Sequence, residues 1–363
     1  MIDTLYKVVA FAITLGVLVV FHELGHYVVA RLAGVKVLRF SVGFGRMIWS
    51  RRYGRDGTEW ALSAIPLGGY VKMADEREAH VDLADLPRAF NRQSVWRRIA
   101  IVAAGPLANL LLAVLLFAGT YIAGVPGQHA VLAEPSPATP AAAADVRAGD
   151  RVVAVDGEPV GSWQELRWRV VRAQGHDHVT LSLVRDNLEH EPIDRALALD
   201  GLATADWEGN PLGALGLRAD PAMLERAAVV VRYGPGESLL QGARKTWELS
   251  AFTVRMLGRI VVGDASLKNI SGPLTMADIA GQSAQAGALV FVSYLALISI
   301  SLGVLNLLPV PLLDGGHLLY YLAEIIKGSP VSDRALEVGQ RIGMAMLAVL
   351  MALALFNDVS RLF

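Results

Sequence analysis

The sequence predicts a polytopic α-helical membrane protein with four transmembrane helices and one inserted soluble α+β domain, and three observations carry that expectation. Of 363 residues, 53% are hydrophobic and only 18% charged, with a mean hydropathy of +0.42; soluble domains carry roughly 25% charge. The apolar residues come in four long blocks, and a spanning helix needs roughly 20 such residues in succession. Between the second and third blocks lies a stretch with the turn, strand and helix patterns of a water-soluble fold. A formal net charge of −1 and the lack of a long basic run argue against nucleic acid as the main partner. Cysteine is absent, which removes disulfides, thiolate metal sites and thiol nucleophiles and leaves His, Asp and Glu as candidate ligands.

The first block runs from about Thr4 to Leu32. No basic cluster precedes it and no small-residue cleavage site follows it, so a retained span is expected rather than a signal peptide. The second, Ile99 to Ala123, follows Arg97 and Arg98, and its Ala103, Ala104, Gly105 and Ala108 suit close helix packing. The third starts near Ala288 and continues to Leu308, where Pro309 and Pro311 disturb the hydrogen-bond ladder. The fourth, Ile342 to Phe356, reaches spanning length only with Val338 to Arg341 or the tail to Phe363. Arg31 to Arg98 holds 13 basic against 7 acidic residues, which places that loop in the cytoplasm. Val125 to Gly234 holds 10 arginines, no lysine and 16 acidic residues, which fits the opposite side, and an even number of spans puts both termini there too.

In the outer loop, Ala148 to Gly157 reads as turn, alternating strand and turn; Trp163 to Ala173 follows with a helix pattern and Val179 to Val184 with a strand pattern. This order resembles a PDZ domain over about Ala130 to Leu199, a module that binds extended peptides by strand addition. In the cytoplasmic loop, Phe40 to Gly45 and Trp60 to Lys72 are strand-like and unusually apolar. They suit either a β-loop dipping into the membrane, tolerated where its polar groups are paired or line a cavity, or a hairpin at the interface. From Ser238 to Val262 a one-sided apolar pattern predicts an amphipathic helix, on the membrane surface or under the soluble insert.

The sharpest feature is His22-Glu23-Leu24-Gly25-His26. Histidines at i and i+4 share one helical face and can share one zinc ion, with the glutamate beside them as general base toward water. Eight His and fifteen Glu in 363 residues yield this pattern by chance about 0.007 times per chain. Catalytic zinc needs a third protein ligand and an open position. His80, His129, His176, His178 and His190 sit in loops, the last four across the membrane by the topology above. Asp314 is an isolated acidic residue in the apolar third block, flanked by Pro309, Pro311, Gly315 and Gly316, and His317 is its rival. Asn306 either hydrogen-bonds a substrate or caps freed backbone groups.

HELGH together with Asn306-Leu307-Leu308-Pro309-Val310-Pro311-Leu312-Leu313-Asp314-Gly315 resembles the site-two protease family of intramembrane zinc metalloproteases. Gly43 to Gly45, Ile65 to Met73, Ala103 to Asn109, Ser271 to Ala277 and Leu353 to Leu362 resemble its bacterial regulator-of-sigma-E branch. The resemblance implies Zn²⁺ held by His22, His26 and Asp314, with Glu23 as catalytic base. It also implies that Gly68, Gly69, Tyr70 and Val71 form a strand edge that binds unwound substrate, assisted by Asn306. The implied substrates are transmembrane helices of pre-trimmed single-span proteins, such as an anti-sigma factor, and remnant signal peptides. The implied setting is the bacterial inner membrane, with the PDZ-like domain periplasmic and the β-loop on the cytoplasmic side.

Two departures stand out: Gly201 to Leu239 is too short for the second PDZ domain common in that branch, and Ser301 replaces an asparagine found in some relatives. The chain thus divides into a first span with the His-Glu motif (1–33), a cytoplasmic segment with the β-loop (34–97) and a second span (98–124). A PDZ-like domain (125–200) and a connector with amphipathic helices (201–285) follow, then a third span with the Leu-Asp-Gly motif (286–326) and a fourth span and tail (327–363). A membrane metal carrier, or a PDZ tether with a structural metal, would use the same His and Asp residues but leaves Glu23 without a role.

Overall fold

The computed structural model describes residues 2–173, 175–185, 192–199, 210–220, 228–262 and 272–360. His190, much of the stretch from 201 to 239, Ser271 and the tail beyond 360 lie outside the described residues. The chain forms two compact units, one from residues 1–120 with 235–363 and the other from 121–234.

The first unit is mostly helical. Among the described residues, four helices are long and apolar enough to cross a membrane, as a polytopic membrane protein requires. They are α1 (Ile2–Leu32), α2 (Val95–Ala123), α8 (Ala288–Leu307) and α10 (Asp333–Ser360). The fourth exceeds its apolar heart at both ends, taking in both Val338–Arg341 and part of the tail. The third stops at Leu307, short of Asp314, because Pro309 and Pro311 cannot continue the ladder. Leu312 turns the chain with φ of 81°, and Asp314 opens a separate helix, α9 (Asp314–Lys327). A β-carbon on Gly315 would strike the carbonyls of Leu307 and Leu308, so glycine lets this turn fold tightly onto the new helix.

Between α1 and α2, β1 (Val37–Tyr53) and β2 (Thr58–Met73) pair antiparallel about a turn at 54–57. Register shifts bend both strands, so that residues 39–42 have partners at 69–72 on one side and 59–62 on the other. Residues 69–73 thereby become an outer segment of the ladder. The hairpin turn is tied back by Asp56, which pairs with Arg31 at the end of α1 and with Arg88.

Two further helices complete this unit. α6 (Pro235–Val262) keeps Trp247, Phe252 and Val254 exposed while Gly242 sits against the backbone of α2. α7 (Pro273–Ala286) packs on α1. Its N-terminal amides at Leu274 and Thr275, with that of Gly272, donate to the buried Asp358 carboxylate of α10, a cap supplied from a distant helix.

The second unit is built as a soluble fold. β4 (Arg151–Val155), β5 (Glu158–Pro159), β6 (His178–Val184) and β7 (Ile193–Ala198) form an antiparallel sheet in the order β5-β4-β6-β7. α4 (Trp163–Arg172) has Ser162 as its N-cap, whose hydroxyl accepts from the Glu165 amide. Its Leu166 and Val170 bury in one core with Val152, Leu181, Leu183 and Leu197. β3 (Val125–Gln128) and β8 (Ala228–Val231) pair antiparallel, so the chain enters and leaves this unit along one ladder. α3 (Pro140–Ala143) and α5 (Pro211–Ala214) are single turns.

Candidate metal centre

Three donor atoms converge in the helical unit. Nε2 of His22 lies 3.2 Å from Nε2 of His26 and 3.1 Å from Oδ2 of Asp314, and the last two are 3.5 Å apart. This is the one group of three potential metal ligands among the described residues. The two imidazoles meet because α1 continues unbroken through the motif and places i and i+4 on one face. Asp314 reaches them because it is the first residue of α9, and α9 is anchored to α2 at its far end. There Arg98 donates to Glu324 at 2.6 Å and its guanidinium lies over the Tyr321 ring.

The elements around the cluster are shaped to it. A β-carbon on Gly105 of α2 would collide with the imidazole of His26 and press on that of His22, and one on Gly25 would strike the Ala104 carbonyl. Small residues at the α1–α2 crossing therefore leave room for both rings. Pro106 has no N–H for the Val102 carbonyl and loosens the ladder there. One residue earlier in that turn, the Ile101 carbonyl accepts from Nδ1 of His26 at 2.8 Å. A carbonyl can only accept, so Nδ1 carries the proton and Nε2 offers its lone pair to the cluster.

The donor set fits a tetrahedral metal. Bonds of 2.0–2.1 Å, as for zinc with nitrogen ligands, imply ligand–ligand edges of about 3.3 Å, and the three observed separations straddle that value. Oδ2 of Asp314 is buried within reach of both imidazoles yet hydrogen-bonded by neither. Such an unpaired anionic oxygen is costly in an apolar helix bundle unless a cation completes it.

Glu23 lines the same cavity, of about 500 Å³, as His26, Val71, Asp314 and His317. The backbone amide of Val71 sits against its carboxylate, and a β-carbon on Gly69 would press on its Cγ. The outer segment of the sheet thus runs directly past Glu23. Tyr70 is turned away, accepting from Arg39 at 3.1 Å and stacking on Phe44. Gly68 lies against the Phe44 ring, and Asn306 stands in the last turn of α8. His317, one turn beyond Asp314, is exposed and outside the three-atom cluster. Ser301 donates to Leu297 of its own helix. The sequence patterns mark Gly105 as a small residue for close helix packing but pass over Asn109, whose Nδ2 lies 3.3 Å from Nδ1 of His22. A lone asparagine within an apolar span was the available signal.

A polytopic membrane chain that holds a His-Glu-x-x-His helix against a remote carboxylate is built as a membrane metallohydrolase. Residues 10–350 match Peptidase family M50, and the chain belongs to that family. It is 40% identical over 434 aligned residues to a Xylella fastidiosa protein that carries a zinc metalloprotease name, covering 96% of this chain and 97% of the relative. It is 36% identical to the regulator of sigma-E protease RseP of Escherichia coli K12, and 37% to the regulator of sigma E protease of Salmonella typhi, over the whole length of each chain. These two alignments run to 451 positions against 363 residues here, so at least the difference, 88 positions, has no counterpart in this chain.

Proposed function

We propose that this peptidase is a zinc-dependent intramembrane endopeptidase, with His22, His26 and Asp314 holding the metal and Glu23 acting as general base. The convergence of three donor atoms beside a glutamate in one cavity is the observation that carries this reading. When bound, zinc polarises the scissile carbonyl and acidifies the attacking water. Glu23 takes the proton from that water as its oxygen bonds the carbonyl carbon, and passes it to the amine nitrogen as the C–N bond breaks.

A peptide bond within a helix is shielded by its own hydrogen bonds, so substrate must be locally unwound before attack. Residues 68–71 lie in or beside the outer sheet segment that runs past Glu23, and pairing there replaces the hydrogen bonds lost. Asn306 assists from the end of α8. The relatives' names point to sigma-E regulation, which favours pre-trimmed single-span substrates such as an anti-sigma factor, together with remnant signal peptides. The protein then resides in the bacterial inner membrane, with the basic β-loop cytoplasmic and the acidic insert periplasmic. The insert acts as a single PDZ-like gate against untrimmed substrates.

The test is cleavage of a detergent-solubilised single-span peptide by wild type and Glu23→Gln, with zinc measured in both. Cleavage by wild type alone, with zinc in both, is the expected result. Cleavage by Glu23→Gln at the wild-type rate overturns the role of Glu23, and wild-type protein without zinc overturns the metal site.

A further inference from the structure

Beside the donor atoms, the carboxamide of Asn109 is a buried polar group with one atom left without a partner. It stands in the middle of apolar α2 and is fully buried. Its Nδ2 faces Nδ1 of His22 at 3.3 Å, while its Oδ1, equally buried, has no hydrogen-bond partner. A buried acceptor left unpaired is destabilising, so an asparagine here calls for a use that an apolar side chain could not fill.

We infer that Asn109 is the positioning residue for His22, its Oδ1 accepting the Nδ1 proton of the imidazole and so directing the Nε2 lone pair to the metal. The inference rests on the zinc reading above. An imidazole that ligates through Nε2 keeps its proton on Nδ1 and needs an acceptor there. His26 has one in the Ile101 carbonyl. The polar side chain at the corresponding nitrogen of His22 is that of Asn109. A half-turn of the carboxamide about its last torsion exchanges Nδ2 and Oδ1. Of the two orientations, only the one with Oδ1 toward His22 keeps the Nδ1 proton of a ligating ring paired. The other link of Asn109, its backbone oxygen accepting from Ser299 Oγ at 2.7 Å, fixes the main chain and does not involve the carboxamide. The two histidines are thus oriented from the same helix, one by a backbone carbonyl and one by a side chain.

The test compares full-length wild type with Asn109→Leu, Asn109→Ala, Asn109→Asp and Ser299→Ala. Zinc affinity is read by chelator competition, and ligand geometry by the visible spectrum after cobalt(II) substitution. Asn109→Leu removes the acceptor at similar volume and is expected to weaken zinc 10–100-fold, with altered cobalt bands; Asn109→Ala repeats the measurement without added bulk. Asn109→Asp keeps an acceptor and should bind zinc more tightly than Asn109→Leu. Ser299→Ala breaks only the helix–helix link and should bind zinc as wild type does. Wild-type affinity and spectrum in Asn109→Leu or Asn109→Ala overturn the inference, as does Asn109→Asp binding no better than Asn109→Leu. Ser299→Ala weakening zinc as strongly as Asn109→Leu assigns the effect to packing and also overturns it. Wild type that takes up no zinc fails the metal reading itself, and this inference with it.

Discussion

The inserted unit gathers its apolar side chains around one core, whereas the helical unit buries some of them and turns many others outward. In the insert, Leu166, Val170, Leu181 and Leu197 are 0% exposed around one core. In the helical unit, Leu32 and Ile326 are 81% and 80% exposed, while His22, His26, Ser41, Asn109 and Ser299 are buried. The difference follows from the solvent each unit is built for. Water drives apolar side chains inward, at about 25 cal/mol per Å² of buried apolar surface. Hydrocarbon leaves no such gradient between helices, so packing of small residues and internally satisfied polar groups take over. A cluster of two imidazoles and a carboxylate is therefore at home in the middle of the helical unit.

The comparison predicts where each unit is fragile. The largest effect belongs to Glu23→Gln: peptide turnover should fall about 10²–10⁴-fold while zinc content and the thermal transition of the insert stay unchanged, as read by cleavage, metal analysis and calorimetry. Next, Asp314→Ala should reduce bound zinc to near zero, and so should treatment of wild type with a chelator; neither should melt the insert, whose core contains no ligand. Leu181→Ala tests the other unit and should destabilise the insert by about 2–5 kcal/mol, measured by denaturation, with zinc retained. Gly105→Ala is conservative by size but adds a methyl where the His26 ring lies. It should cost about 1–3 kcal/mol of packing and lower zinc occupancy, whereas Gly234→Ala, at an exposed position with open space around it, should do neither.

The smallest effect is electrostatic. Arg92 and Asn91 beside Glu76 hold its carboxyl down at about 2, from an ordinary value of 4.5. A depressed carboxylate adds stability above its unfolded pKa and loses it as pH falls through the folded one. The Glu76–Arg92 contribution is thus complete above pH 4.5 and fades toward pH 2. Glu76→Gln should flatten that part of the stability profile only slightly, because the pair is solvated.

Much of the architecture is legible without coordinates because its causes are local. Spanning helices announce themselves as apolar runs, though α10 extends well past its apolar heart because charged ends such as Arg334 and Glu337 still favour helix. The two strands of the β-loop are visible as apolar, strand-like segments. Their doubling back is not, since it depends on register shifts that bring residues 69–72 and 59–62 to opposite sides of residues 39–42. Likewise Asp314 can be picked out as an isolated carboxylate among prolines and glycines, but the choice against His317 needs the path of the chain through Leu312 and into α9.

The sequence alone determined the His22–Glu23–His26 face, the four apolar helices and the separation of a compact insert from them. Each follows from helical periodicity or from composition over a short window, and both are properties of neighbouring residues. Tertiary structure decided that Asp314 closes the donor set, that Gly105 makes space for it, that Ile101 and Asn109 stand behind the two imidazoles, and that a strand segment passes Glu23. Those contacts join residues far apart in the chain, and their positions are set within ångströms by close helix packing that no local pattern records.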